Sequence, residues 1–287
     1  MLSTIFENPM LFMIIVFIFS LCIGSFLNVV AYRLPIMMKR QVESDYLEIN
    51  EKEVPKQEPF NLMVPVSTCP KCKSKIKPWL NIPVISYLWL KGKCANCKTS
   101  ISPRYPIVEF ITGLLGVVVA LHFGATLQAA ALLVFTYFLV AMTLIDLDEC
   151  LLPDDLTLPL IWIGLLANSF DVFTTLENAV YGAIAGYLSL WSIFWLFKLL
   201  TGKEGMGYGD FKLLAAIGAF LGWQSLPVVI LLSSAVGAVV GIAMIIILGR
   251  DKNIPIPFGP YLAAAGWIAA LWGDQLTQAY FQFAGIK

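Results

Sequence analysis

The chain has 287 residues, of which 59% are hydrophobic and only 13% are charged, and its 19 basic and 19 acidic side chains cancel. A mean hydropathy of +0.79 excludes both an ordinary soluble globule and a disordered chain. Several apolar runs reach the roughly 20 residues that a helix needs to cross a bilayer. The composition therefore predicts an all-α polytopic membrane protein.

The apolar runs predict about eight transmembrane helices. The first covers residues 10–31 and is closed by Tyr32-Arg33-Leu34-Pro35. It has no basic flank before it and no small-residue cleavage site after it, so we interpret it as a retained helix and not as a signal peptide. A polar segment follows, and then seven further spans: residues 107–123, 126–145, 156–170, 179–200, 211–223, 226–248 and 258–272. The shortest of these require flanking residues or a thinned bilayer.

The basic residues set the predicted orientation. Thirteen of the 19 fall between Arg33 and Arg104. With eight spans, only Lys287 falls on the opposite face, and the remaining five share the crowded one: Lys198, Lys203, Lys212, Arg250 and Lys252. By the positive-inside rule the crowded face is cytoplasmic, which places residues 33–104 in the cytoplasm and both termini in the periplasm.

Four cysteines in the polar segment form two C-x-x-C pairs. Cys69 and Cys72 are separated from Cys94 and Cys97 by 21 residues, close to the spacing of a zinc ribbon. Disulfides are not expected on a reducing cytoplasmic face. The pattern therefore predicts a zinc-ribbon-like insertion between helices 1 and 2, with a structural Zn²⁺ and no open coordination position. A redox pair or unligated cysteines is the alternative.

The other two cysteines, Cys22 and Cys150, stand apart from this pattern. Free cysteine is commonly a small buried apolar residue. We assign neither of them a role.

Acidic residues meet apolar runs at two places. Asp210 lies in Gly207-Tyr208-Gly209-Asp210, at the edge of the run 211–223. A carboxylate at the edge of the hydrocarbon is costly, so it points to function, although Asp210 could simply cap the next helix. Its glycines would let another backbone come close.

The second acidic cluster ends the span 126–145 on the same predicted face. Asp146, Asp148 and Asp154 are the candidates to pair with Asp210, because two adjacent carboxyl groups can share a proton and activate a water. Spacing alone leaves the choice open. Asp146 is nearest the apolar run, Asp154 could cap the helix from residue 156, and Asp148 and Glu149 could lie in an exposed loop.

Competing chemistries have few candidate residues. The one histidine, His122, ends a span on the opposite predicted face, so neither a Ser-His-Asp triad nor an H-E-x-x-H zinc site is available. A transporter that couples to cations through the acids stays open. However, these acids lie at one face and not at the bilayer midplane, and transport does not explain a cysteine module.

An ordered set of motifs accompanies these residues along nearly the whole chain. They are G-S-F-L-N-V-V-A-Y-R-L-P at 24–35, the cysteine tetrad, N-I-P-V-I-S-Y at 81–87, G-K-C at 92–94, S-P-R-Y-P-I-V-E at 102–109, L-I-D-L-D at 144–148, L-P-D at 152–154, G-Y-G-D-F-K at 207–212 and P-F-G-P at 257–260. In this order they resemble the bacterial type IV prepilin peptidases, also called leader peptidase/N-methyltransferases, which are GxGD membrane aspartic proteases.

The resemblance implies two activities in the bacterial inner membrane. One is cleavage of type IV prepilins and type II secretion pseudopilins after a glycine at the cytoplasmic boundary, with Asp146 and Asp210 as the catalytic pair. The other is methylation of the new N-terminal residue, often phenylalanine, from S-adenosylmethionine, with Gly92 and Lys93 as contributors. A peptidase without methylation is the alternative.

The resemblance also implies partners and a domain organisation. We expect prepilin substrates and the lipid bilayer as partners, and no nucleic acid. The expected domains are a first transmembrane helix (1–32), a cytoplasmic four-cysteine zinc domain associated with methyl transfer (33–104), and a seven-helix membrane aspartic peptidase domain (105–287).

Overall fold

A computed structural model describes residues 8–55, 58–249 and 256–283. Within these ranges the chain forms nine α-helices and two short 3-10 turns, and its only β-type pairing is two isolated bridges. The helices are α1 (Pro9–Ile49), α2 (Ile85–Trp89), α3 (Arg104–Phe123), α4 (Leu127–Glu149), α5 (Asp154–Asn168), α6 (Leu176–Thr201), α7 (Tyr208–Leu221), α8 (Leu226–Leu248) and α9 (Gly259–Phe283). The prediction of an all-α protein is confirmed.

Every predicted span falls on a helix. Five stretches are long and apolar enough to cross a membrane: Pro9–Ile49, Arg104–Phe123, Leu127–Glu149, Leu176–Thr201 and Trp223–Ile247. By contrast, α5 has 15 residues and α7 has 14. The chain is therefore a polytopic membrane protein with at least these five candidate spans.

The helices form two compact units. One comprises Met1–Gly124 and holds α1 to α3, and the other comprises Ala125–Lys287 and holds α4 to α9. In the first unit α3 packs along α1. The predicted domain division had placed α3 with the peptidase domain.

Helix α1 is longer than the sequence predicted. The expected end at Tyr32–Pro35 is wrong, because the helix continues through Pro35 to Ile49. At 1.5 Å per residue its 41 residues extend about 60 Å, roughly twice the hydrocarbon thickness of a bilayer.

Contacts from later in the chain surround the turn that contains the proline. The buried Arg33 guanidinium donates to the carbonyl oxygens of Asn61 (2.8 Å) and Pro65 (2.5 Å), and it lies over the ring of Phe60. Proline normally breaks a helix because it lacks an N–H and crowds the preceding turn. Here Arg33 and Pro35 are both buried, and the helix continues through the proline while a later segment binds the Arg33 guanidinium.

Small residues let α1 and α3 approach closely. A Cβ on Gly24 would lie 2.9 Å from the Cα of Glu109, and one on Gly116 would collide with the Ser20 side chain. Close backbone contact through small residues is typical of membrane helices, where association relies on packing because lipid is as apolar as the side chains. This explains the glycine at position 24, which opens the first motif.

Helix α7 lies at the centre of the second unit. Ten of its 14 residues are buried, including Asp210 and the run from Leu213 to Phe220. Its backbone touches that of α6 where Gly182 meets Gly218, and Gly164 of α5 packs on Phe220. A helix that is apolar on all sides needs neighbours on all sides. Its burial holds the start of α7, and with it Asp210, in a fixed position.

Candidate active site and metal centre

Two aspartates are buried at helix ends in the second unit. Asp146, in the last turn of α4, is 5% exposed, and Asp210, in the first turn of α7, is 7% exposed. Their carboxyl groups interact electrostatically. Asp148, Glu149 and Asp154 are all exposed. Burial therefore distinguishes Asp146 from the other acids that spacing alone had left as candidates.

The backbone of α9 holds the Asp146 carboxylate. The N–H of Gly259, the first residue of α9, donates to Asp146 Oδ2 at 2.9 Å. A Cβ on Gly259 would lie 2.6 Å from the same oxygen, so only glycine leaves room for this contact. The positive end of a helix favours a carboxylate. Sequence reasoning gave Gly259 no role, although its P-F-G-P motif was available as a signal.

Asp210 is not the N-cap residue of its helix. The N-cap of α7 is Gly207, and Asp210 is the third helical residue, whose N–H points to the Gly207 carbonyl at 3.3 Å. The prediction that Asp210 could occupy the N-cap position is therefore wrong, although Asp210 does lie in the first turn, where the helix dipole favours an acid.

Leu152 packs against the starts of two helices. A Cβ on Gly209 would lie 2.6 Å from Leu152 Cβ, and a Cβ on Gly259 would lie 3.2 Å from Leu152 Cδ1. The buried Leu152 side chain therefore touches the residue next to Asp210 and the residue that binds Asp146. Gly209 thus has an intramolecular reason to lack a side chain, in addition to the substrate access expected from the sequence.

An ion pair connects the starts of α5 and α7. Lys212 Nζ lies 2.6 Å from Asp154 Oδ1, with 24% of the lysine side chain and 55% of the aspartate side chain exposed. The N-cap of α5 is Pro153, so the prediction that Asp154 caps this helix is wrong by one position. Asp154 contacts Lys212, two residues beyond Asp210, and joins the L-P-D and G-Y-G-D-F-K motifs.

In the first unit, each C-x-x-C pair sits in a loop closed by one antiparallel bridge. Thr68 pairs with Lys75 around the first pair, and Lys93 pairs with Ser100 around the second. The residue after each second cysteine has a left-handed backbone, with φ of 57° at Lys73 and 58° at Lys98. The two loops are therefore built alike, as expected of paired zinc knuckles.

The four sulfur atoms fit one tetrahedral ion. All lie within 4.8 Å of one another, with Cys69 and Cys97 3.8 Å apart and Cys72 and Cys94 4.0 Å apart. Tetrahedral Zn²⁺ with bonds of about 2.3 Å requires sulfur atoms about 3.8 Å apart. Hydrogen bonds from the Ser74 side chain and backbone lower the pKa of Cys72 to about 6, which favours the thiolate that binds metal.

Gly92 and Lys93 lie beside the second knuckle. Gly92 is buried with φ of 67°, and a Cβ there would lie 2.9 Å from the hydroxyl oxygen of Tyr87. Lys93 is exposed at the bridge that opens the knuckle. A left-handed backbone pressed against a tyrosine explains the glycine, since another residue would be strained and crowded.

Glu109 is a buried acid to which sequence reasoning gave no role. It is 8% exposed on α3, and its Oε2 accepts the N–H of Val84 at 2.7 Å. Val84 precedes α2 and has φ of 59°, a conformation that is strained for a β-branched residue. The hydrogen bond fixes the start of α2 to α3 and joins the N-I-P-V-I-S-Y and S-P-R-Y-P-I-V-E motifs.

These features define a class: a polytopic membrane protein with two buried aspartates at helix ends in one unit and a four-cysteine cluster in the other. Residues 18–123 match the family description "Bacterial Peptidase A24 N-terminal domain", and residues 133–242 match "Type IV leader peptidase family". The two matches divide the chain close to the boundary between its compact units at Gly124. The chain belongs to the type IV leader peptidase family.

Relatives match along the full length. The chain is 56% identical to a protein of Pseudomonas aeruginosa, covering 100% of this chain and 99% of the relative. It is 57% identical to one of Stutzerimonas stutzeri, covering 97% and 96%, and 43% identical to one of Legionella pneumophila, covering 98% of each. All three are named prepilin leader peptidase/N-methyltransferase. No solved structure matches the chain. The family resemblance predicted from the motifs is confirmed.

Proposed function

We propose that this chain cleaves the leader of type IV prepilins and type II secretion pseudopilins after glycine, and then methylates the new N-terminus. Family membership and the full-length relatives support both activities. The observation that carries the peptidase assignment is the pair of buried, interacting carboxyl groups of Asp146 and Asp210 in the second unit.

The peptidase step uses a water between the two aspartates. One carboxylate takes a proton from this water, which attacks the scissile carbonyl directly, and the other carboxyl group gives its proton to the departing amine. The Gly259 N–H donates to Oδ2 of Asp146, and we assign the contact with the water to the other oxygen, Oδ1. No covalent intermediate is formed.

The methyltransferase step is assigned to the first unit. Cys69, Cys72, Cys94 and Cys97 would hold a structural Zn²⁺ that stabilises the loops around it and has no coordination position for a substrate. S-adenosylmethionine would supply the methyl group. Gly92 and Lys93 contribute to this site in our proposal, which their position beside the second knuckle supports.

The proposed arrangement in the membrane has eight spans, with residues 33–104 in the cytoplasm and both termini in the periplasm of a bacterial inner membrane. We retain the predicted domains 1–32, 33–104 and 105–287. The lysines of the first unit support the orientation. Arg250, Lys252 and Lys287, which were also used for it, lie outside the described residues.

The test is cleavage of a purified prepilin by the purified protein in detergent, followed by mass spectrometry of the processed N-terminus. Asp146→Asn and Asp210→Asn should each abolish cleavage, whereas the matched variant Asp148→Asn, at the exposed end of the same helix, should cleave normally. A cleaved product without the added mass of a methyl group would show that the protein is a peptidase without methyltransferase activity. No cleavage by the wild-type protein would overturn the proposal and favour a transporter.

A further inference from the structure

A long stretch of the first unit carries only positive charge. Between Glu58 and Glu109 there are seven lysines and one arginine and no acidic residue. Even if four thiolates held one Zn²⁺ there, a clear positive surplus would be left. The lysines nearest α2 in the sequence, Lys75, Lys77, Lys91 and Lys93, are all exposed. This surface is complementary to anions.

Large apolar side chains lie exposed between these lysines. Trp79 is 57% exposed, and on α2 the exposed fractions are 60% for Ile85, 68% for Leu88 and 73% for Trp89. A helix of only five residues has little area to hold a partner, but it leaves three of its side chains largely uncovered. Tryptophan near lysine is typical of the boundary between lipid headgroups and acyl chains.

The exposed apolar surface is continuous with a membrane span. Tyr87 and Leu88 line a shallow cavity of about 330 Å³ together with residues from the start of α3, including Ile107, Phe110 and Ile111. The last three are each about half exposed on a helix that is long and apolar enough to cross a bilayer. The Glu109–Val84 hydrogen bond fixes α2 at this level of α3. Lipid in contact with the exposed face of α3 would therefore also reach α2.

We infer that residues 79–89, here called the interfacial segment, lie within the headgroup–acyl boundary of the bilayer and that the flanking lysines bind anionic lipid headgroups. The apolar side chains supply insertion, and the lysines supply selectivity for an anionic leaflet. The segment would hold the cysteine module against the membrane on the side where α3 enters it. The inference depends on α3 being a membrane span and does not depend on the peptidase activity.

Tryptophan quenching tests insertion in the full chain reconstituted in nanodiscs. The fluorescence of Trp89 is obtained as the difference between wild type and Trp89→Phe, in lipids brominated either near the headgroup or deep in the acyl chain. We expect stronger quenching by the shallow bromines and protection from aqueous acrylamide. Trp162→Phe is the matched control, because Trp162 is 71% exposed in α5, outside the interfacial segment. Full acrylamide quenching of Trp89 would overturn the inference.

Amide hydrogen exchange tests the lipid selectivity, first in the wild-type chain and then in lysine variants. Exchange over residues 79–92 should slow when phosphatidylglycerol is added to phosphatidylcholine nanodiscs. Each lysine removed should weaken this effect about fivefold. The double variant Lys77→Gln/Lys91→Gln should therefore lose most of the slowing caused by phosphatidylglycerol. Lys52→Gln, between Glu51 and Glu53, should lose none.

Two outcomes of the exchange experiment would contradict the inference. Protection that is the same in both lipids would show that the lysines do not select anionic headgroups. Protection that rises with the number of protein copies per nanodisc, and not with the anionic lipid, would assign the interfacial segment to contact with a second copy of the chain.

Discussion

Adding one methyl group at Gly259 should disable the peptidase without unfolding the protein. The Cβ of Gly259→Ala would lie 2.6 Å from Asp146 Oδ2 and 3.2 Å from both Asp146 Cγ and Leu152 Cδ1. Gly259 is not among the positive-φ glycines, so alanine brings no backbone strain. The perturbation therefore falls mainly on the Asp146 carboxylate, with a smaller one on the Leu152 side chain.

The geometry sets the size of the effect. Real Cβ atoms essentially never come closer than 3.0 Å to another heavy atom, so the carboxylate must move by several tenths of an ångström. This movement stretches the 2.9 Å hydrogen bond from the Gly259 N–H. Misplacement of a catalytic group by about 1 Å can cost about 100-fold. We expect kcat/KM for cleavage to fall about 10- to 100-fold, or ~1.4 to 2.8 kcal/mol.

The assay is steady-state cleavage of prepilin in detergent, with methylation of a precleaved substrate measured in parallel. Gly273→Ala is the control, because a Cβ there would meet no atom within 4 Å; Gly273 lies just beyond a kink at Trp272 in α9. Methylation, which we assign to the first unit, should persist in Gly259→Ala, and an unchanged melting temperature would show that the second unit is folded. A Gly259→Ala enzyme that cleaves as fast as Gly273→Ala would refute the role given to the Gly259–Asp146 contact.

Three further predictions follow from the two units. Asp146→Asn and Asp210→Asn should lower cleavage by about 100-fold or more while leaving zinc content unchanged, as measured by metal analysis. Cys72→Ser should lose the zinc and impair methylation through loss of folding around the metal, with cleavage largely retained. Breaking the Asp154–Lys212 pair by Lys212→Met should lower thermal stability by no more than about 1 kcal/mol, because the pair is partly solvent-screened. The exchanged variant Asp154→Lys/Lys212→Asp should recover part of any loss.

Each of these has a contrary outcome. Near wild-type cleavage by either asparagine variant would remove the aspartate pair from the mechanism. If metal analysis of the purified wild-type protein found no zinc, the proposed zinc site would be wrong. The loss of stability in the exchanged variant can be compared with the summed losses of Asp154→Lys and Lys212→Asp. If the exchanged variant lost more than this sum, the Asp154–Lys212 contact would not be a favourable ion pair.

The sequence by itself was sufficient to predict the class of fold and the four-cysteine cluster. Apolar runs of fixed length mark helices because a bilayer of fixed thickness demands them, and each predicted span lies on a helix. Two C-x-x-C pairs predict a cluster because a tetrahedral ion needs four ligands from two tight turns, and the four sulfur atoms do converge. Both are local signals that repeat a known spacing.

Only the tertiary structure decided which distant groups contact Asp146 and Asp154. Gly259 binds Asp146 from 113 positions away, and Lys212 reaches Asp154 across 58. The sequence likewise did not reveal that Asn61 and Pro65, from a later segment, accept hydrogen bonds from Arg33 just before Pro35. The hydrophobic periodicity of a sequence indicates which face of a helix is buried. It contains no information about which distant backbone will lie against that face.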